Sequence, residues 1–219
     1  MFVHLKTKTI YSLLEGAIFA KALADRCCEF KMPAVGIADR ANLFGALEFS
    51  EVLSDKGIQP IIGCQLPMSL KEADLKKFRA SDRLSMLFLA RNELGYRNLM
   101  ELSSKFFLND TYRFEGMSIQ EIDKFSDGLI CLSGGDESPI NNLLGDNKIK
   151  EAENFLLHFK RTFGDRFYLE MNRHPLGDNY SKKVNIEDNI LGLADKQKLP
   201  LVATNDVYYL EKELARELH

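Results

Sequence analysis

The chain has 219 residues, 45% of them hydrophobic and 28% charged, with a formal net charge of −3. This is globular composition in a chain long enough to bury a sizeable core. It excludes a low-complexity protein and a stand-alone nucleic-acid binder built on a long basic run. No apolar run approaches the ~20 residues of a membrane span, and no signal peptide opens the sequence.

Short apolar runs alternate with longer segments of helical period. VHL, from Val3, reads as the first strand. Ala17 to Phe30 reads as a helix with Phe19, Leu23, Cys27 and Phe30 on one face, stopped by Met32-Pro33. AVGIAD from Ala34 is the next strand, and Asn42 to Lys56 is a helix closed by Gly57. IQPIIGCQL from Ile58 is the third strand, and the polar stretch from Lys71 to Arg83 is a loop or short hairpin. MLFLAR from Met86 is the fourth strand, with helices following from Leu94 to Phe107 and from Ile119 to Phe125. GLICLSGG from Gly128 is a strand that runs into a glycine turn. Lys148 to Phe163 is the clearest helix, with Ile149, Ala152, Phe155, Leu156, Phe159 and Phe163 as one apolar stripe. RFYLEMN from Arg166 is a strand, and Val184 to Lys196 is a helix with Ile186, Ile190, Leu193 and Ala194 inward. LVATND after Pro200 is the last strand, and Glu211 to Leu218 begins another helix.

Strand-then-helix repeated in this way argues for an α/β fold with a parallel sheet. The length is close to the ~250 residues of a closed barrel of this kind; periodicity alone does not separate a barrel from an open doubly wound sheet. The four cysteines, Cys27, Cys28, Cys64 and Cys131, form no C-x-x-C pair and read as reduced, mostly buried thiols of a cytoplasmic protein. The glycosylation-type triplets at Asn109 and Asn179 are chance matches in such a chain.

In parallel α/β folds the functional groups collect at the carboxyl ends of the strands. Those ends carry Lys6 and Lys8, Asp39 and Arg40, Gln65, and Arg91 and Asn92. Further along come Gly134 and Gly135, Asn172 and His174, and Asn205, Asp206 and Tyr208. Strand ends meet loops and loops are polar, so any one of these residues is as well explained by its position. His4 reads as structural, and His158 and His219 as surface residues. Ser133-Gly134-Gly135 is a weak phosphate-turn pattern, and neither a G-x-S-x-G elbow nor a Walker loop is present.

Several long strings resemble one family. HLKTKTIYSLLEGA from His4 looks like the PHP-domain (polymerase and histidinol phosphatase) opening H-x-H followed by YSLLDGA, as found in bacterial replicative polymerase alpha subunits. MPAVGIADRANLFGALEF from Met32 looks like MPALALTDHGNLFGAVEF, and IQPIIGCQL like IKPIIGCEV. LARNELGYRNLMELSS from Leu89, LICLSGG, FYLEMNRH and LPLVATNDVYYL are similar to the remaining family strings in order and spacing. The resemblance implies a PHP-type distorted (β/α)7 barrel, with residues 1–219 as a single PHP domain cut from the amino terminus of a longer polymerase chain.

Carried over residue by residue, the family's metal site fails. Its H-x-H falls on Lys6 and Lys8, its first aspartate on Glu15, and the histidine after Asp39 on Arg40. The glutamate of GCE falls on Gln65, a cysteine after LSG on Gly135, and the last histidine on Tyr208, while Asp206 and His174 are kept. An ammonium offers a metal no lone pair until it deprotonates near pH ~10.4, and divalent clusters need several deprotonated N and O ligands. The expectation is a cleft without metal, cofactor or catalytic residues. In it Lys6, Lys8 and Arg40 replace the metal charge opposite Glu15, Asp39 and Asp206.

The resemblance further implies a parent chain with DNA-directed DNA polymerase (nucleotidyltransferase) activity. Its Mg2+ would be held by palm-domain aspartates beyond His219. The domain's partners would be the rest of the alpha subunit, an epsilon proofreading exonuclease, and DNA through the parent chain, with no membrane. The alternative is a metal-dependent PHP phosphoesterase or 3′–5′ exonuclease; an unrelated barrel enzyme is a distant third.

Overall fold

The computed structural model describes residues 2–70, 84–172 and 180–211, the side chains of 180–184 excepted. The loop expected from Lys71 to Arg83, the retained His174, and most of the helix expected from Glu211 lie outside the described residues.

Among the described residues eight strands form one sheet: β1 (Lys6–Thr7), β2 (Ala34–Arg40), β3 (Gln59–Pro67), β4 (Ser85–Ala90), β5 (Leu129–Leu132), β6 (Phe167–Met171), β7 (Leu201–Ala203) and β8 (Asp206–Val207). Their order is β7-β6-β5-β4-β3-β2-β1-β8. The two ends of that order are separated in the chain by only Thr204 and Asn205. Leu201–Ala203 pairs with β6 while Asp206–Val207 pairs with β1, so the sheet curls until one run of chain joins its two edges. Counting that run once gives seven strands, the distorted (β/α)7 arrangement expected.

The parallel sheet expected is reversed at one place: β4 is antiparallel to both β3 and β5. Pro67 pairs directly with Ser85, so the connection returns to the end of the sheet it left, and the next strand must run backwards. A parallel pair needs a crossover that carries the chain to the opposite end. The first strand also differs from the VHL expected. Pairing begins at Lys6 with β8 and at Thr7 with β2, although the His4 carbonyl already accepts the Gly36 N–H at 2.6 Å.

Helices α1 (Ala20–Glu29), α2 (Ala46–Asp55), α3 (Glu93–Leu108), α4 (Asp110–Glu115), α5 (Ile119–Lys124), α6 (Pro139–Gly145), α7 (Ile149–Phe163) and α8 (Tyr180–Gln197) cover the outside. The face expected of α1 is corrected: Leu23 and Cys27 are buried, but Phe19 and Phe30 at its ends are exposed, and Ala20 and Ala24 complete the buried stripe. On α7 the stripe holds from Ala152 to Phe163, and Ile149 is exposed in the first turn. α4 and α6 were not expected. They are short helices opened by side-chain caps, Asn109 and Ser138.

Among the described residues three apolar clusters result. The largest joins Phe88 and Phe167 on strands to Phe159 and Phe163 on α7. A second packs Leu23, Phe49 and Leu53 of the first two helices on Val35 and Ile37. The third lies on the opposite strand face, inside the barrel, with Ala38, Leu87, Leu89 and Leu132 at its centre and Ile61, Tyr168 and Val202 against it. Cys27, Cys64 and Cys131 are buried free thiols and Cys28 is an exposed one. Among the described residues no helix is long and apolar enough to cross a membrane.

Candidate functional site

Successive strand residues alternate between faces, so the side chains two or four residues on from the interior apolar cluster share its face. Arg40 follows Ala38, Gln65 follows Ile61, Glu170 follows Tyr168, and Thr204 follows Val202. On the reversed β4, Ser85 precedes Leu87. A polar layer thus sits on an apolar floor. Lys6 and Glu170 lie deepest, at 1% and 0% exposed, and Asp206 (12%), Arg40 (21%) and Glu137 (30%) stand progressively nearer the mouth.

The Lys6 ammonium lies 2.9 Å from Glu170 Oε1 and 2.9 Å from Asp206 Oδ1, with the Gly134 carbonyl oxygen at 3.4 Å. Its three N–H donors have three acceptors. The carboxylates are met from their other sides as well. Thr204 Oγ1 donates to Glu170 Oε1 at 2.5 Å and the Gly134 N–H to Glu170 Oε2 at 3.1 Å. Asn172 Nδ2 donates to Asp206 Oδ2 at 2.9 Å. Burial pulls the Lys6 pKa down, but the charges of Glu170 and Asp206 outweigh it and hold the ammonium above its ordinary value.

Lys8 is as deeply buried but has no carboxylate of its own. Its ammonium donates to the Ala38 carbonyl at 2.8 Å and to the side-chain oxygen of Gln65. Burial lowers its pKa to about 8, assisted by the positive charges of Arg40 and Lys6 and opposed by Glu15 and Glu137. The Gln65 amide turns its nitrogen to Ser85 Oγ at 2.6 Å and Glu137 Oε2 at 2.9 Å, and the Ser85 hydroxyl donates to Glu137 Oε2 at 2.6 Å. Arg40 closes the mouth, with Nε 2.7 Å from Glu15 Oε1 and Nη2 2.9 and 3.0 Å from the two Glu137 oxygens. Burial raises the Glu137 carboxyl, and Arg40 and Ser85 more than reverse this, leaving it below the usual range.

Asp39 departs from the cation pairing expected of it. It accepts the Thr9 N–H at 2.7 Å, the Thr9 hydroxyl at 2.6 Å and the Ser12 hydroxyl at 2.6 Å. It therefore ties down the loop after β1. Gly16 completes that loop, where a Cβ would stand 2.3 Å from the Thr9 carbonyl oxygen. Gly135 belongs to the cleft floor: at φ +60 its missing Cβ leaves room for Asn172 and Glu170, 2.6 and 2.9 Å from where that atom would be. Tyr208 faces the same charges, and burial together with Asp206 and Glu137 pushes its hydroxyl up to about 12.

The structure brings Lys6, Lys8, Glu15, Arg40, Gln65, Gly135, Asp206 and Tyr208 into one network, with Asp39 at its edge. Glu170 and Glu137 are central to it and were absent from the residues singled out by sequence. Glu170 carries a legible signal, a carboxylate alternating into a strand between Leu169 and Met171; Glu137 lies in a turn and carries none. Among the described residues no three His, Cys, Asp or Glu side chains converge as a metal-binding group.

Residues 4–174 match the PHP domain family. The DNA polymerase III subunit alpha of Caulobacter vibrioides is 43% identical over 210 residues, 95% of this chain and 18% of that protein. The corresponding subunit of Borreliella burgdorferi is 34% identical over 214 residues, 97% of this chain and again 18% of the relative. The chain thus spans less than a fifth of these curated relatives. Among solved structures, an amidohydrolase from Chromobacterium violaceum superposes with a TM-score of 0.56 at 11% identity, over 99% of this chain and 95% of that one. A candidate metal-dependent phosphoesterase from Bifidobacterium adolescentis gives 0.54 at 12% identity, over 99% and 94%. At such identity these two speak to the barrel alone, and it is the match over residues 4–174 that leads to the conclusion: this chain belongs to the PHP domain family.

Proposed function

We propose that this chain is the amino-terminal PHP domain of a replicative DNA polymerase III alpha subunit, that it holds no metal and catalyses no reaction, and that it serves as a scaffold docking an epsilon-type proofreading exonuclease. The alpha subunits that share its sequence support the first part. One observation carries the second: the Lys6 ammonium sits between Glu170 and Asp206, 2.9 Å from each. A divalent ion needs carboxylate and imidazole lone pairs that are free to coordinate. Here a tethered cation occupies the inner carboxylates, Arg40 occupies Glu15 and Glu137, and Asp39 is committed to the Thr9–Ser12 loop. The residues present do not fit a PHP metal centre.

Docking of the exonuclease follows from the same reading, since a domain without a nuclease centre leaves proofreading to a separate protein. With a net charge of only −3, the contact is expected not to be mainly electrostatic and to survive moderate salt. Two measurements test the reading. Hydrolysis of a phosphodiester by the domain with added Mn2+ is expected to stay at background, and Mn2+-dependent turnover that Asp206→Ala abolishes would favour the metal-dependent phosphoesterase. Titration calorimetry with the exonuclease's carboxyl-terminal peptide, at low and raised salt, is expected to give heat at both. Silence at both, with the full alpha subunit binding in parallel, would remove docking from this domain.

A further inference from the structure

Among the described residues the helices outside the barrel leave a cluster of apolar side chains exposed. After β2 the chain turns through Phe44 into α2, with Phe44 69% and Leu47 71% exposed. Across from them on α3 stand Met100 and Phe107, 41% and 44% exposed and two turns apart on one stripe. The two elements meet here. The Phe44 and Phe107 rings stack with centroids 6.4 Å apart, and the Ser103 hydroxyl donates to the Ala41 carbonyl at 2.8 Å. Phe107 is braced edge-on by Phe106, 5.3 Å away, which packs on the main core. The rings are therefore held in place, and clustered apolar surface of this kind marks an interaction face. Glu48, Glu51 and Glu101, all exposed, lie on the same two helices.

On the reading of this chain as one domain of an alpha subunit, we propose that this face is covered by an apolar segment of the same polypeptide, outside residues 1–219, carrying Lys or Arg where it meets Glu48, Glu51 and Glu101. The relatives are long enough to supply it, since this chain spans 18% of them. A covalently attached segment acts at high effective concentration. Interfaces that never open are the more apolar ones, whereas separable partners meet on surfaces about as polar as the rest of the protein. An exposed aromatic stack belongs to the first kind, and the three carboxylates set the charge of its cover.

Hydroxyl-radical footprinting of the 219-residue chain and of the full-length subunit tests this at the side chains themselves. Phe44, Met100 and Phe107 are expected to be oxidised readily in the short chain and several-fold more slowly in the full subunit. Leu47→Glu is expected to restore their labelling in the full subunit without lowering the melting temperature of the short chain. Equal labelling in both forms overturns the proposal. So does protection that appears only when the exonuclease is added, or that grows with the concentration of the short chain, because the face then belongs to another protein or to a second copy. A reading frame that continues into no polymerase removes the alpha-subunit reading as well, a result distinct from unprotected side chains in an intact subunit.

Discussion

Lys6 carries a full charge into the protein interior, at a cost of several kcal/mol unless partners replace the lost water. Glu170 and Asp206 are those partners, and removing the lysine leaves two carboxylates buried together. Lys6→Met is expected to destabilise the fold by about 3–5 kcal/mol, measured by denaturant unfolding. Asp206→Ala is expected to cost less, because Lys6 keeps Glu170; the reverse order would show that Asp206 is the main partner. Lys8 behaves differently, its pKa lying near 8 in the fold against 10.5 for the free side chain. Below pH 8 folded and unfolded chains both hold the proton, and the cost of burying it is fully present. Between these two values only the unfolded chain binds it, so stability attributable to Lys8 rises with pH, by on the order of 3 kcal/mol at most. Buried Cys27 and Cys64, at about 11 and about 12, oppose this above pH 9, so the comparison must be with Lys8→Met, which keeps them. The wild type should gain on the variant between pH 7 and pH 10; a constant difference would contradict the assignment. Lys6, Lys8 and Arg40 were legible in sequence as cations at ligand positions. The partnership of Lys6 with Glu170 was not, because β1 and β6 lie far apart in the chain and are brought to the two sides of one strand run only when Leu201 to Val207 pairs with both.

At the scale of elements, the turn after β5 does the most to shape the cleft. Gly134, at φ +105, places its N–H on Glu170 and its carbonyl toward Lys6, and a Cβ there would stand 2.1 Å from the Ser85 carbonyl oxygen. Gly134→Ala is therefore expected to destabilise by about 2–4 kcal/mol through combined strain and clash, read as a lowered melting temperature. Gly57→Ala, at φ +71 but with open space around it, carries only the conformational part and should cost about 1 kcal/mol. Equal losses would mean that backbone strain alone decides both sites. The glycine turn was legible as SGG, but its contact with Ser85 was not, since it depends on β4 running backwards. That reversal hides in the sequence because an apolar run reads the same in either direction. α6 did have a signal, Ser138 followed by Pro139 at a helix start, in a segment too short to show helical period.

At the scale of the molecule, Leu201 to Val207 closes the barrel by pairing with β6 on one side and β1 on the other. Closure sets Lys6 opposite Asp206 in register and gives the ammonium the place between carboxylates on which the account turns. The run LVATND was legible as a strand, but its change of partner midway was not, because pairing partners leave no local mark. Elemental analysis of the purified 219-residue chain, after exposure to Zn2+ and Mn2+ and exhaustive dialysis, tests the central claim most directly. The account predicts no stoichiometric metal in the wild type. One or more equivalents retained per chain, and lost with Asp206→Ala, would contradict it.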